Sequence, residues 1–349
     1  AATTRARSLK PPDGEAAMAR RLLLFCCCAA PSAALRLHLA ATRRPRPARM
    51  SLDFNDPDVL DSFADDELAG NWARAGKGRQ LWQPGEKTDD PRLDKRLLHS
   101  AWVLSPPTLH VYETCPFCTR TRLVLGWSRL PFACRYYPYG EGADPSACGG
   151  FGYAPSDGPV RLTGKKQLPV LTGKGLPSRD GVEELIMESL EICSFAGGAA
   201  KEAHVAPATG RGDIASWLER VQRVSAALVR PRLIKLPVSD FADPRDIEYI
   251  KWKNEQSGFD YAAAEAQTAS LLAELQPLLD EVQELLRSET EDGSPCLNAW
   301  GLGIDDALVL PVLRNLSCVE GVEWPAKVVA YLEKQCAKSN VKPFFEFAC

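Results

Sequence analysis

Long apolar runs are missing from this chain. The longest, Leu22 to Ala30, is nine residues, against the ~20 that a helix needs to cross a bilayer. No transmembrane helix and no membrane partner are expected. Histidine is scarce, with four in 349 residues, and neither a second Cys-x-x-Cys nor a paired histidine follows the single Cys115-x-x-Cys118. A closed zinc site wants four ligands, so a metal centre built on that pair is poorly supported. Acid is nearly absent from the first fifty residues, where Asp13 and Glu15 stand against ten Lys/Arg, while the remainder carries a net charge of −11. An acidic body argues against a nucleic-acid partner. No internal repeat is visible, and no low-complexity tract outside the N-terminal arm.

What is present begins with size. At 349 residues, 45% hydrophobic and 25% charged, the chain can bury two cores, which predicts two domains plus extras. The twelve cysteines form no spacing pattern: Cys26, Cys27 and Cys28 are adjacent, and those beyond Cys118 are scattered singly. Scattered cysteines in a chain of this size behave mostly as small apolar residues, which points to a reducing compartment with one reactive pair.

That pair sits in Thr108 to Cys118, followed by Thr119 to Trp127. Thr108 to Tyr112 reads as a short strand, and Leu123, Val124 and Trp127 recur at helical spacing, so both thiols fall where a strand turns into a helix. Backbone N–H groups and the helix dipole stabilise a thiolate at Cys115, with Arg120 and Arg122 adding positive field. Its pKa is expected to drop from about 8.5 into the ~3.5–7.5 range of such sites. Cys115 is the expected nucleophile, and Cys118, one turn further in, is placed to attack a mixed disulfide formed there. A zinc half-site or a structural disulfide are the competing readings of the same motif.

Taken in order, the chain starts at Ala1, with Met18 and Met50 as candidate initiators. Met18 to Arg49 holds seven arginines and no acid, which resembles an organelle transit peptide. That predicts delivery to mitochondrion or plastid. A secretory signal built on Arg20-Arg21 and Leu22 to Ala30 is the rival, and a plain basic tail would leave the protein in the cytoplasm. Residues 51–105 read as an irregular extension, though Trp72, Trp82 and Trp102 suggest that part of it packs on the body. Phe132 to Tyr137 reads as a second strand, and Pro138 to Gly158 as a long surface loop. In Lys166-Gln167-Leu168-Pro169-Val170-Leu171 a proline opens an apolar strand, and a cis bond at Leu168-Pro169 would turn the Leu168 backbone toward Cys115. Val182 to Ile186 suggests another strand before Glu188-Ser189, a helix start whose N–H groups and hydroxyl suit a carboxylate; ordinary capping explains it equally well.

After Gly197-Gly198 the pattern is helical: Ile214 to Val229 behind Asp213, a helix opened by Asp243-Pro244, a long amphipathic helix from Tyr261 to Leu286, then Ile304 to Leu316 and Pro325 to Tyr331.

This order, with Cys115-Pro116-Phe117-Cys118, Gln167-Leu168-Pro169, Glu188-Ser189, Leu310 to Leu316 and Gly321 to Pro325, resembles a two-domain glutaredoxin of the glutaredoxin 2 family, over about residues 107–345. The resemblance implies an α/β thioredoxin-like N-terminal domain with a mixed four-stranded sheet, at 106–198, a linker at 199–212, and an all-α, glutathione-transferase-like domain at 213–349. It also implies reduction of protein disulfides or glutathione mixed disulfides with glutathione as co-substrate and no metal. On matching positions Cys115 is the nucleophile, Cys118 the resolving thiol and Pro169 the cis-proline. Leu168 would offer its backbone to the glutathione cysteinyl, Glu188 and Ser189 would hold the γ-glutamyl end, and Gln167 and Lys166 would reach the glycyl carboxylate. A conjugating glutathione transferase or isomerase on the same fold, and an iron–sulfur or glutathione-binding interaction module, are the alternatives. Met187 stands where the family is expected to carry proline, and the loop 138–158 and the stretch 172–182 are longer than expected.

Overall fold

The computed structural model describes residues 102–174, 176, 184–200 and 205–349. The expectations for a transit segment at 1–50, for nearly all of the extension at 51–105 and for the start of the strand at 182 lie outside these residues. Trp102 is within them: its indole N–H donates to the Pro131 carbonyl at 2.7 Å and its ring stacks on Phe195, 5.8 Å away.

The first half is a mixed sheet with helices packed on it. Strands β1 (Thr108–Val111), β2 (Ala133–Tyr136), β3 (Val170–Thr172) and β4 (Leu185–Met187) lie in the order β2-β1-β3-β4. β1 runs parallel to β2 and antiparallel to β3, and β3 antiparallel to β4. Between β1 and β2 comes α1 (Pro116–Trp127), the long crossover that parallel neighbours require. A short α2 (Val160–Thr163) precedes β3, and α3 (Ser189–Ala199) follows β4 and packs against α1. Leu109, Val111, Val170 and Leu171 are fully buried in the sheet, so both faces of its centre are covered.

One buried polar residue in β1 couples this core to pH. His110 bridges the Tyr137 hydroxyl at 2.8 Å through Nδ1 and the Thr172 hydroxyl at 2.9 Å through Nε2. Burial, aided by the nearby charge of Arg135, pushes its pKa down to about 4. A base whose folded pKa is depressed contributes stability that is present above the unfolded value of ~6.5 and lost as pH falls toward the folded value. Between pH 7 and 4.5, wild type is expected to lose about 2 kcal/mol more than His110→Gln, measured by urea unfolding. Equal losses in the two proteins would remove His110 from the acid response.

The second half is helical: α4 (Gly212–Leu233), α5 (Pro244–Gln256), α6 (Tyr261–Ala266), α7 (Thr268–Leu285), α8 (Ile304–Leu316) and α9 (Ala326–Ala337). A ribbon of two short strands, β5 (Ser288–Glu289) and β6 (Pro295–Cys296), interrupts the expected all-α domain. The stripe Leu271, Leu275, Leu278, Leu279, Val282 and Leu285 is buried along α7, and the indole of Trp217 on α4 donates to the Leu278 carbonyl at 2.8 Å.

The single helix expected from Tyr261 to Leu286 is two. It breaks at Gln267, whose φ −90° and ψ 5° leave the helical region. There the Thr268 hydroxyl turns back to the Glu265 carbonyl at 2.8 Å while accepting from Arg232 at 3.1 Å. α9 runs two turns beyond the expected Tyr331, because Gln335 and Cys336 are buried too. Asp243 caps α5 through a reciprocal capping box with Asp246.

The halves meet along α1 and α8. A Cβ on Gly126 would stand 2.3 Å from the Ser339 hydroxyl oxygen, so only glycine fits there. The Ser339 hydroxyl donates to the Leu123 carbonyl at 2.8 Å, and the Trp127 indole to the Gln335 carbonyl at 2.9 Å. Among the described residues no helix is long and apolar enough to cross a membrane.

Candidate active site

Cys115 is the N-cap residue of α1, with φ −71° and ψ 122°, and Pro116 occupies the first helical position. Proline suits that position because its missing N–H would have had no intrahelical partner. No acidic residue lies in the first turn, so nothing there offsets the positive end of the dipole. Cys115 is 2% exposed and Cys118 is fully buried, its Sγ accepting the Tyr112 N–H at 3.4 Å. The second thiol thus lies in the first turn of α1, against the end of β1.

The two arginines of α1, alike in sequence, have different surroundings. Arg122 donates to the Glu113 carboxylate at 2.9 Å, and Arg314 of α8 binds the same carboxylate oxygen. Burial works against the Glu113 charge, but these two guanidinium groups overcome it and hold the carboxyl below its usual range. Among the described residues Arg120 has no carboxylate partner. Its Nη1 donates to the Ser189 hydroxyl at 3.3 Å, its guanidinium lies 5.2 Å over the Phe117 ring, and its Nε finds no hydrogen-bond partner among the described residues. Burial pushes its pKa down while the thiols of Cys193 and Cys115 act the other way. Of the two arginines expected to supply positive field, Arg122 is tied with Arg314 to the Glu113 carboxylate, and Arg120 remains beside Cys115.

Sheet register gathers the other expected residues. His110 pairs with Val170 and Val170 with Met187, so the next step along each strand sets Pro169 between Val111 and Glu188. The Leu168–Pro169 peptide bond is cis. Gln167 Nε2 donates to Glu188 Oε1 at 2.7 Å. Glu188 has φ 67° and ψ 120°, an unusual conformation for a residue with a side chain and one that costs about 1–3 kcal/mol. Ser189 opens α3 and is buried. Lys166 is drawn aside: its Nζ donates to the Tyr112 hydroxyl at 3.0 Å and the Glu141 carbonyl at 2.9 Å. Burial and the neighbouring Lys253 push its pKa down to about 7. Gln167, Leu168, Pro169, Glu188 and Ser189 therefore form one edge, and Lys166 sits under an aromatic layer in which Tyr112 stacks on Tyr139 at 4.4 Å.

Three residues of the helical half touch the turn before Cys115 without having been singled out from sequence: Asp240, Arg314 and Asn315. Burial pushes the Asp240 carboxyl up to about 7, against the pull of its hydrogen bonds from Thr114 and Glu113. Arg314 and Asn315 lie inside the quoted Leu310 to Leu316 motif, whereas Asp240 stands in a short 3₁₀ turn with no sequence signal. The expected surface loop 138–158 is pinned by another such carboxylate. Asp246 Oδ1 accepts from the Gly140 N–H at 2.7 Å and the Tyr153 hydroxyl at 3.0 Å, while Phe151 stacks on Trp252 at 6.1 Å. Among the described residues no three His, Cys, Asp or Glu converge as metal ligands would.

Residues 213–348 match the family described as Glutaredoxin 2, C terminal domain, and residues 114–198 that described as Glutathione S-transferase, N-terminal domain. Glutaredoxin 2 of Escherichia coli strain K12 is 24% identical over 238 residues, covering 67% of this chain and 95% of the relative. The crystal structure of glutaredoxin 2 from Salmonella typhimurium in complex with glutathione superposes with a TM-score of 0.57 at 23% identity, covering 70% of this chain and 99% of that one. With a Cys-Pro-Phe-Cys helix following the first strand of a thioredoxin-like sheet, a helical second half and both domain matches in the same order, the chain resembles the glutaredoxin 2 family and has its glutathione-transferase-like architecture.

Proposed function

We propose that this protein is a glutathione-dependent thiol–disulfide oxidoreductase in which Cys115 is the nucleophile and Cys118 the resolving thiol. The observation that carries this reading is the placement of Cys115 at the start of α1 with the buried Cys118 one turn further in. The similar protein from Salmonella typhimurium was crystallised with glutathione, which supports glutathione as co-substrate. Glu188 and Ser189 would hold its γ-glutamyl end, and Leu168 beside the cis bond its cysteinyl backbone. The unpartnered Nε of Arg120 favours an anion next to Ser189.

The Cys115 thiolate attacks one sulfur of a substrate disulfide; that S–S bond breaks, a mixed disulfide forms, and the departing thiolate takes a proton. Cys118, as thiolate, then attacks Cys115 Sγ and releases the second substrate thiol, leaving a Cys115–Cys118 disulfide. Two glutathione molecules reduce it in succession and leave as oxidised glutathione. With a glutathionylated substrate, Cys115 takes the glutathione directly and a second glutathione removes it, so Cys118 is not needed. A conjugating transferase would have no use for the second thiol.

Incubation with oxidised glutathione followed by peptide mass spectrometry is expected to show glutathione on Cys115, persisting in Cys118→Ser because internal resolution is lost. Glu188→Ala should raise the glutathione requirement by an amount worth about 1–3 kcal/mol, the usual cost of an unpaired polar partner. Absence of an adduct on Cys115 in Cys118→Ser would overturn the proposal.

A further inference from the structure

Glu113 and Thr114, the two residues before the nucleophile, have four backbone hydrogen-bonding groups, and all four are taken by side chains of the helical half. Asp240 Oδ1 accepts the Glu113 N–H at 2.6 Å, and Oδ2 accepts the Thr114 N–H at 2.8 Å together with the Thr114 hydroxyl at 2.6 Å. Arg314 Nη1 donates to the Glu113 carbonyl at 2.7 Å, and Asn315 Nδ2 to the Thr114 carbonyl at 2.9 Å. Buried backbone groups must be paired somewhere. Here the pairing of this turn depends wholly on the second domain, and the turn in turn sets the direction in which the chain enters α1 and where Cys115 caps it.

We infer that Asp240, with Arg314 and Asn315 beside it, is a positioning residue for the nucleophile, so that the helical domain completes the active site by fixing the turn that presents Cys115. This rests on the proposed oxidoreductase reading. A role in domain docking alone fits less well. Docking is already served by the Gly126–Ser339 approach and the Trp127–Gln335 and Ser339–Leu123 hydrogen bonds, none of which touches the turn. Asp246, a buried carboxylate six residues away, makes a similar set of bonds to the loop at Gly140 and Tyr153 instead, which makes it a control of matched chemistry.

Asp240→Asn keeps the shape but fills only one of the two acceptor positions and turns an amide N–H₂ toward a backbone N–H. Its kcat for disulfide reduction, per folded molecule, is expected to drop about tenfold or more, since a displacement of the order of 1 Å at a reacting group can cost up to ~100-fold. The KM for glutathione should stay within about twofold, because Glu188 and Ser189 are untouched. Asp246→Asn should lower thermal stability while leaving kcat near wild type. A second readout distinguishes positioning from simple charge removal: the pH midpoint for alkylation of Cys115. Removing a neighbouring anion would lower it, whereas loss of alignment with the start of α1 raises it, by about half a unit or more in Asp240→Asn.

Should Asp240→Asn fail to fold, Thr114→Val, which deletes only the hydroxyl bond to Oδ2, decides the matter, with a kcat loss of about threefold or more at near-wild-type stability. Full kcat per folded molecule, or a lowered alkylation midpoint, overturns the inference. A wild type that turns over no disulfide defeats the proposed function instead, and the alkylation midpoints still decide the positioning.

Discussion

Cys115→Ser is expected to abolish both protein-disulfide reduction and removal of glutathione from mixed disulfides. Serine offers no accessible anion at neutral pH, and no other thiol stands at the start of α1. The loss should exceed about a thousandfold against a glutathionylated peptide with glutathione in excess, since the covalent step has no substitute. Cys118→Ser separates the two activities. Cys118 is fully buried against the Tyr112 N–H, so under the proposed mechanism it acts only after Cys115 has been captured. Deglutathionylation should survive its loss, and protein-disulfide reduction should fall because the mixed disulfide is no longer resolved from within. Both activities are followed by coupling oxidised glutathione to its reductase. Full reductase activity in Cys115→Ser would mean that the chemistry lies elsewhere.

Glu113→Ala is expected to be the most destabilising single change near the site, at about 3–5 kcal/mol, the range found when one partner of a buried ion pair is removed. The Glu113 carboxylate is shared by Arg122 and Arg314, whose side chains are 7% and 1% exposed. Removing it leaves two buried guanidinium groups facing one another without an anion. The same arithmetic sets the response to acid. The carboxyl, held below its usual range, contributes stability that is present above the unfolded value of ~4.3 and lost as pH falls through the depressed folded value. Urea unfolding at pH 7 should show the deficit, and adding Arg122→Leu to Glu113→Ala should restore part of it by removing one stranded charge. A deficit below about 1 kcal/mol would place the trio among ordinary surface pairs.

Sequence alone carried the strand-to-helix position of Cys115, because a β-branched run, a helical period and an intervening proline are local signals that few other arrangements satisfy. The helical second half was legible for the same reason: the stripe on α7 and the Asp243-Pro244 start of α5 repeat at spacings that only a helix uses. The break at Gln267 was not, since no proline or glycine marks it and Arg232, which bonds Thr268 there, comes from α4.

The two arginines of α1 show where local information ends. Arg120 and Arg122 stand two residues apart in one helix, and sequence treats them as equal sources of positive field. Tertiary packing alone gives Arg122 a carboxylate and leaves Arg120 facing Ser189 and the thiol. Lys166, a suggested glutathione contact, is held under Tyr112 by a hydroxyl and a carbonyl from separate segments. Asp240 carries no motif, and its role is decided by the 3D approach of a 3₁₀ turn to a strand end more than a hundred positions earlier in the chain. Periodicity and caps are encoded by neighbours, whereas the partner of a buried charge is set by whichever distant element closes over it.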